Sequence, residues 1–237
     1  MRKKAGLLFQ LLVVLLVVVG CGNKLEETKY SLEKGKVYQE SITINGNVIP
    51  LGEGDWHLVS YEVNARGYIK ARFFKLNGNV LDSRVTVVSK DASDRGNGYT
   101  ESKAYLKPNI HYIEQISNFR GGEQECWLVN HVPDETFTSK SNIDNDTMKF
   151  IRSRSIQFPK TMIQAFHHFA GVDNYLNVKY YYNPELEGFE PDDATSDATS
   201  VWDQTQVHLD EDKVNYIESI KKKGSQLHAL LKEGLAE

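Results

Sequence analysis

Ile42-Thr43-Ile44-Asn45-Gly46-Asn47-Val48-Ile49 is the stretch that decides the fold of this 237-residue chain. Ile42 and Ile44 alternate with polar neighbours, then Asn45-Gly46 intervenes, then Val48 and Ile49 follow. Alternation puts every second side chain on the same face of a strand. Asn-Gly supplies the positive φ angles that a two-residue hairpin turn demands. The same grammar repeats downstream. Residues 56–63, with Trp56, Tyr61 and Val63, predict a strand, 64–67 a turn, and 68–76 another strand. Asn77-Gly78 marks a second tight turn, and 80–88 returns with Val85, Val87 and Val88. The reading is an antiparallel meander over residues 37–89.

Beyond the meander, residues 90–98 (Lys-Asp-Ala-Ser-Asp-Arg-Gly-Asn-Gly) form a loop by composition. Two strands are expected at 110–117 and 125–132, joined through Arg120-Gly121-Gly122-Glu123. Met148, Ile151 and Arg152 stand at helical spacing and predict a short helix over 144–155, closed by Pro159. Residues 162–169 and 175–182 read as strands around Gly171-Val172-Asp173-Asn174. About twenty residues of loop follow from Asn183-Pro184-Glu185, including Asp-Ala-Thr-Ser twice in succession at 193–200.

The C-terminus is the clearest helix. Asp210 is its N-cap, and Glu211 and Asp212 place negative charge in the first turn, where the helix dipole favours it. Val214, Ile217, Ile220, Gly224, Leu227, Leu231 and Leu235 make one apolar stripe, with Lys221, Lys222 and Lys223 off it in solvent. Gly224 is expected to split or bend the element. Strands first and a helix last predict a single α+β domain over residues 37–237, an antiparallel β meander with the C-terminal helix packed on it.

Few residues point to chemistry. Adjacent strand residues face opposite ways, so His167 and His168 cannot share one metal, and they read as half-buried strand histidines. The acidic loop around Glu185, Glu187, Glu190, Asp192, Asp193, Asp197 and Asp203 lacks the bend glycine and closing glutamate of a calcium loop, and Asp144-Asn145-Asp146 is short of ligands. No Gly-x-Ser-x-Gly elbow surrounds Ser60, Ser83 or Ser89, and Gly52-Glu53-Gly54-Asp55 lacks the lysine of a phosphate loop. No cofactor is expected. Tyr180-Tyr181-Tyr182 divides between two faces, with Tyr180 and Tyr182 on the same one, read as packing beneath the helix rather than as an interface.

The N-terminus carries an address. Arg2, Lys3 and Lys4 precede an apolar run over residues 5–19, which ends in Val18-Val19-Gly20-Cys21. This resembles the signal peptide and lipobox of bacterial lipoproteins. The resemblance implies cleavage before Cys21, a diacylglyceryl group on its sulfur, residues 1–20 removed, and residues 21–36 as lipidated cysteine and tether. An uncleaved spanning helix is the alternative; it needs about 20 apolar residues, and this run is shorter. In Gram-negative lipoproteins an Asp after the cysteine resembles an inner-membrane retention signal. Gly22 stands there instead, which in a Gram-negative envelope points to the outer membrane, facing the periplasm.

Loss of Arg2, Lys3 and Lys4 leaves 25 basic against 32 acidic side chains, a formal net charge of −7 on 217 residues. That balance disfavours nucleic acid and anionic lipid head groups as partners. With Cys21 lipidated, Cys126 is the one remaining thiol and no intramolecular disulfide can form. Its apolar neighbours Trp127, Leu128 and Val129 predict a buried structural cysteine rather than a reactive one.

Gly54-Asp55-Trp56 resembles the Gly-x-Trp that opens the first barrel strand of lipocalins. That resemblance implies an eight-stranded barrel around an apolar ligand; read from the residues alone, Trp56 is a core anchor. Together these readings make the chain a lipid-anchored envelope lipoprotein, held to the membrane through Cys21. Its domain is a non-catalytic binding or assembly module with an envelope protein as partner. The alternative is a lipocalin-like carrier of an apolar small molecule, and an envelope hydrolase comes third.

Overall fold

In the computed structural model, described here over residues 32–90, 107–118, 123–133, 142–171, 174–192 and 199–235, every expected strand is present. They are β1 (Val37–Ile44), β2 (Asn47–Val63), β3 (Ile69–Asn77), β4 (Val80–Lys90), β5 (Ile110–Asn118), β6 (Gln124–Pro133), β7 (Thr161–Ala170) and β8 (Tyr175–Tyr182). Helix α1 (Asn142–Arg154) joins β6 to β7, the short α2 (Gln204–Val207) follows the long connection, and α3 (Glu211–Glu233) is the C-terminal helix. The strands form one antiparallel sheet in the order β1-β2-β3-β4-β8-β7-β6-β5. Two four-stranded meanders are thus joined through β4 and β8, which pair from Ser83↔Tyr182 to Lys90↔Tyr175.

The Asn45-Gly46 hairpin forms as expected, but residues 47–63 are not the two separate strands expected after it. They form one 17-residue strand, because Gly52 (φ +83°) and Gly54 (φ +100°) absorb bulges that keep β2 paired with β1 past the hairpin. A Cβ at Gly54 would also come within 3.0 Å of the Lys75 side chain. The sheet ends at β1 and β5 without a ladder between them among the described residues. The closed barrel implied by Gly54-Asp55-Trp56 is therefore not formed, and Trp56 is an anchor in the core, 5% exposed.

Helix α3 occupies the face a barrel would have enclosed, packing on β2, β6 and β7. Beneath it lie Ile44, Leu58, Phe73, Val85, Trp127, Ala165 and Val178, all buried. Asp210 caps it by accepting from the Asp212 and Lys213 amides, and Gly234 at its far end accepts from the Val48 amide at 2.7 Å. The expected break at Gly224 does not occur: α3 is one helix of 23 residues. Gly224 is there for a close approach, since a Cβ would come within 2.8 Å of the Trp127 ring.

The opposite face carries a smaller cluster, Val59, Phe74, Leu81, Ile156, Met162 and Tyr181, next to α1. Helix α1 is pinned by a buried ion pair from Arg72 to Asp144. Thr147 links Arg72 (3.1 Å) to Ser60 (2.9 Å).

The connection after β8 is not the open loop that its composition suggests. Asn183 caps a 3-10 turn over Pro184–Glu187, which ends at Gly188 (φ +93°). Asp192, assigned to a solvated acidic loop, is 8% exposed and accepts from Thr161 (3.0 Å) and Ser200 (2.5 Å). Trp202 is buried between Phe189 and Tyr216. At the other end, Leu32 packs on the core and Gly35 donates to the Leu58 carbonyl at 2.9 Å, so the expected tether joins the sheet before Val37. Residues 1–20, Cys21 and residues 22–31 lie outside the described residues, as do 91–98 of the expected loop and 193–198 of the Asp-Ala-Thr-Ser repeat. No helix among the described residues is long and apolar enough to cross a membrane.

Candidate functional site

A groove of about 560 Å³ opens where α3 leaves the sheet towards β2 and β8. Leu51 and Trp56 come from β2, Tyr180 and Tyr182 from β8, and Tyr216, Ile220, Leu227 and Leu230 from successive turns of α3. The β2 bulge and the alternation of β8 aim these rings at the helix. Tyr180 and Tyr182 lie beneath the helix as expected from their register, and Tyr181 lies on the other face. Trp56 donates its indole N–H to the Gly52 carbonyl (3.3 Å) and Tyr180 its hydroxyl to the Pro50 carbonyl (2.8 Å). With their polar atoms engaged at the sheet, both present apolar ring surface to the groove.

The rim is mixed. Leu186 (40% exposed) and Leu230 (51%) are apolar at the mouth. The Lys75–Asp82 ion pair at 3.3 Å, Glu187, Lys223 and Gln226 add polar contacts, with Lys223 Nζ 5.5 Å from the Tyr182 ring centre. Burial raises the Tyr180 hydroxyl well above the usual tyrosine pKa, with neighbouring Tyr182 adding to it. Burial likewise raises Tyr182, and raises Tyr216, where Glu187, Tyr182 and Asp82 act in the same direction. All three phenols are neutral near pH 7. Ligand pockets usually measure about 300–1,000 Å³, mostly apolar with a few placed polar groups, and this groove has that character.

Beside the groove, His167 and His168 point to opposite faces of β7, as adjacent strand residues must. They are more buried than the half-buried positions expected, at 0% and 7% exposed. His168 meets Asn177 across the strand pair at 2.5 Å. His167 meets His228 of α3, Nδ1 to Nδ1 at 3.2 Å, and His228 Nε2 lies 3.1 Å from Glu125, which Lys232 also contacts at 3.0 Å. The carboxylate takes the Nε2–H of His228. Its Nδ1 is then an acceptor, so His167 must donate from Nδ1. His167 Nε2 is left as a buried lone pair with no hydrogen-bond partner among the described residues. Sequence reading missed this chain, because His228 lies 61 residues from His167 and Glu125 is 103 from His228.

A second chain runs from Asp203 to His131 (3.3 Å) to His111 (3.2 Å). Burial holds all four histidines below the usual histidine range. His111 is lowered to about 4, with the neighbouring His131 contributing, and His167 is held well below the usual range, with His228 contributing. In His131 burial outweighs Asp203 and Asp192, and in His228 it outweighs Glu125. The sign follows from linkage: between about pH 6.5 and 4 the unfolded chain binds protons that the folded chain refuses. Stability is fully present above about pH 6.5 and falls as the pH drops towards 4, with His111 alone contributing roughly 3 kcal/mol. Thermal melts across this window should show the melting temperature falling steadily, with a shallower slope in His111→Gln. A flat profile from pH 7 to 4 would contradict it.

Cys126 is buried, 3% exposed, in agreement with its apolar neighbours. No group of three or more metal-ligating side chains assembles among the described residues. The lipidation candidate Cys21 lies outside them. Comparison with known protein families, with curated proteins and with solved structures returns no match.

Proposed function

We propose that this chain is a lipid-anchored envelope lipoprotein whose domain is a non-catalytic binding module, and that its groove holds a small amphipathic molecule. Val18-Val19-Gly20-Cys21 supports the anchor, and Gly22 supports an outer membrane facing the periplasm where the envelope is Gram-negative. The groove under α3 carries the ligand reading: Trp56, Tyr180 and Tyr182 form an aromatic floor, and Ile220 and Leu227 form the roof. Such a site takes a molecule with an apolar body, its polar end towards the neutral phenols, Lys223 and Gln226. Docking of an envelope protein has less support, since the exposed apolar side chains outside the groove, Val37, Val48, Val63, Ile116, Val201 and Leu209, are divided among β1, β2, β5 and the segments flanking α2.

The test is native mass spectrometry of the full chain extracted from membranes in mild detergent, with titration of the apolar fluorophore N-phenylnaphthylamine. An added mass on the order of a few hundred daltons, or saturable fluorophore binding, is expected from the native protein. Both should be lost in Leu227→Arg, which puts a charge into the groove wall while the fold melts normally. A bare mass together with no fluorophore binding would rule out the groove as a ligand site.

A further inference from the structure

The sheet face turned away from α3 gathers positive charge in one place. Lys70 and Arg72 of β3, Arg84 of β4 and Lys179 of β8 line a pocket of about 310 Å³ with Thr86, Val88, Asn177 and Tyr181. The register makes them neighbours. Lys70 lies opposite Val88 and then Asn177, Arg72 opposite Thr86 and then Lys179, and Phe74 opposite Arg84 and then Tyr181. With strands about 4.8 Å apart and same-face residues about 6.8 Å apart along each strand, four cationic stems rise within one small area.

The two guanidinium groups are held in place. Arg84 is 4% exposed and stacks on the Tyr181 ring at 3.7 Å, and Arg72 is fixed by Asp144 and Thr147. Lys179 lies over Phe166 at 5.4 Å. Four cationic side chains line the pocket, and Asp144 and Glu62 are the carboxylates that act on Lys70. This occurs in a chain whose formal net charge is −4. Burial, Arg72 and Lys179 hold Lys70 below the ordinary lysine range, against the pull of Asp144 and Glu62. A bound dianion would relieve that repulsion. Guanidinium groups match the oxygens of a tetrahedral oxyanion in pairs, while lysines supply point charge.

We propose that this pocket binds a phosphate group, carried either by a soluble phosphate or by a lipid headgroup. Arg84 and Tyr181 border both this pocket and the groove, whereas Lys70, Arg72 and Lys179 line the pocket and not the groove. Calorimetric titration of the full chain in a non-ionic detergent tests it. The probes are inorganic phosphate, dihexanoyl phosphatidate and dihexanoyl phosphatidylcholine, at constant ionic strength set with chloride. Phosphate and phosphatidate should bind, and the phosphocholine diester, with its single negative charge offset by choline, should not. Tighter binding of phosphatidate assigns the lipid source, and equal binding assigns the soluble one.

Replacing both lysines, Lys70→Gln with Lys179→Gln, should weaken binding at least about tenfold with the melting temperature unchanged. Lys179→Arg should retain binding, and Leu227→Arg in the groove should not affect it. No heat of binding above the chloride background, or native affinity in the double lysine variant, overturns the proposal.

Discussion

Trp202→Ala should remove about 3–5 kcal/mol of folding stability, the range for truncating a fully buried indole. For a domain of this size the melting temperature then falls on the order of 10 °C. Trp202 is 1% exposed and stands edge-on to Phe189 (5.1 Å) and tilted against Tyr216 of α3 (5.8 Å). It closes the core under the start of the helix and ties the long connection to it. Trp202→Phe, which keeps a ring in the same place, should recover part of the loss. Calorimetric melting of the three proteins is the measurement. A loss below about 1 kcal/mol, the scale of an ordinary substitution, would show that the connection melts apart from the sheet.

Cys21→Ala should release the protein from membranes altogether under the proposed anchoring. Each buried acyl CH₂ contributes about 0.8 kcal/mol, so loss of two or three chains removes far more than any contact of the domain can replace. The net negative charge of the mature chain offers no general attraction to an anionic bilayer. Fractionation with a high-salt wash should find the native protein in the membrane pellet and the variant outside it. The native mass should exceed that of residues 21–237 by the acyl groups. Retention of Cys21→Ala in the washed pellet would show an uncleaved spanning helix or a second anchor.

The strands were legible because their patterns are local. β4 and β8 largely alternate, and Asn45-Gly46 and Asn77-Gly78 admit little except tight turns. Asp210 announced the start of α3 for the same reason, since a cap acts on amides two and three residues away. The misreadings share a different cause. Gly224 looked like a helix break until Trp127, nearly a hundred positions earlier in the chain, was found against it. The segment with the repeated Asp-Ala-Thr-Ser looked solvated, although Asp192 and Trp202 on either side of it are buried by partners remote in sequence.

By itself, the sequence determined where most of the strands and the C-terminal helix lie, that Tyr180 and Tyr182 share a face, and the resemblance of the N-terminus to a lipoprotein address. Those properties follow from backbone preference and from periods of two and 3.6 residues, which act over a few positions. Only the tertiary structure decided that β4 pairs with β8 and that the sheet stays open around α3. It alone brought Trp56, Tyr182 and Leu227 around one groove, Glu125, His228 and His167 into one chain, and Lys70, Arg84 and Lys179 around one pocket. A strand's pattern specifies its face but not its neighbour, and the neighbour is chosen by burial summed over the whole sheet.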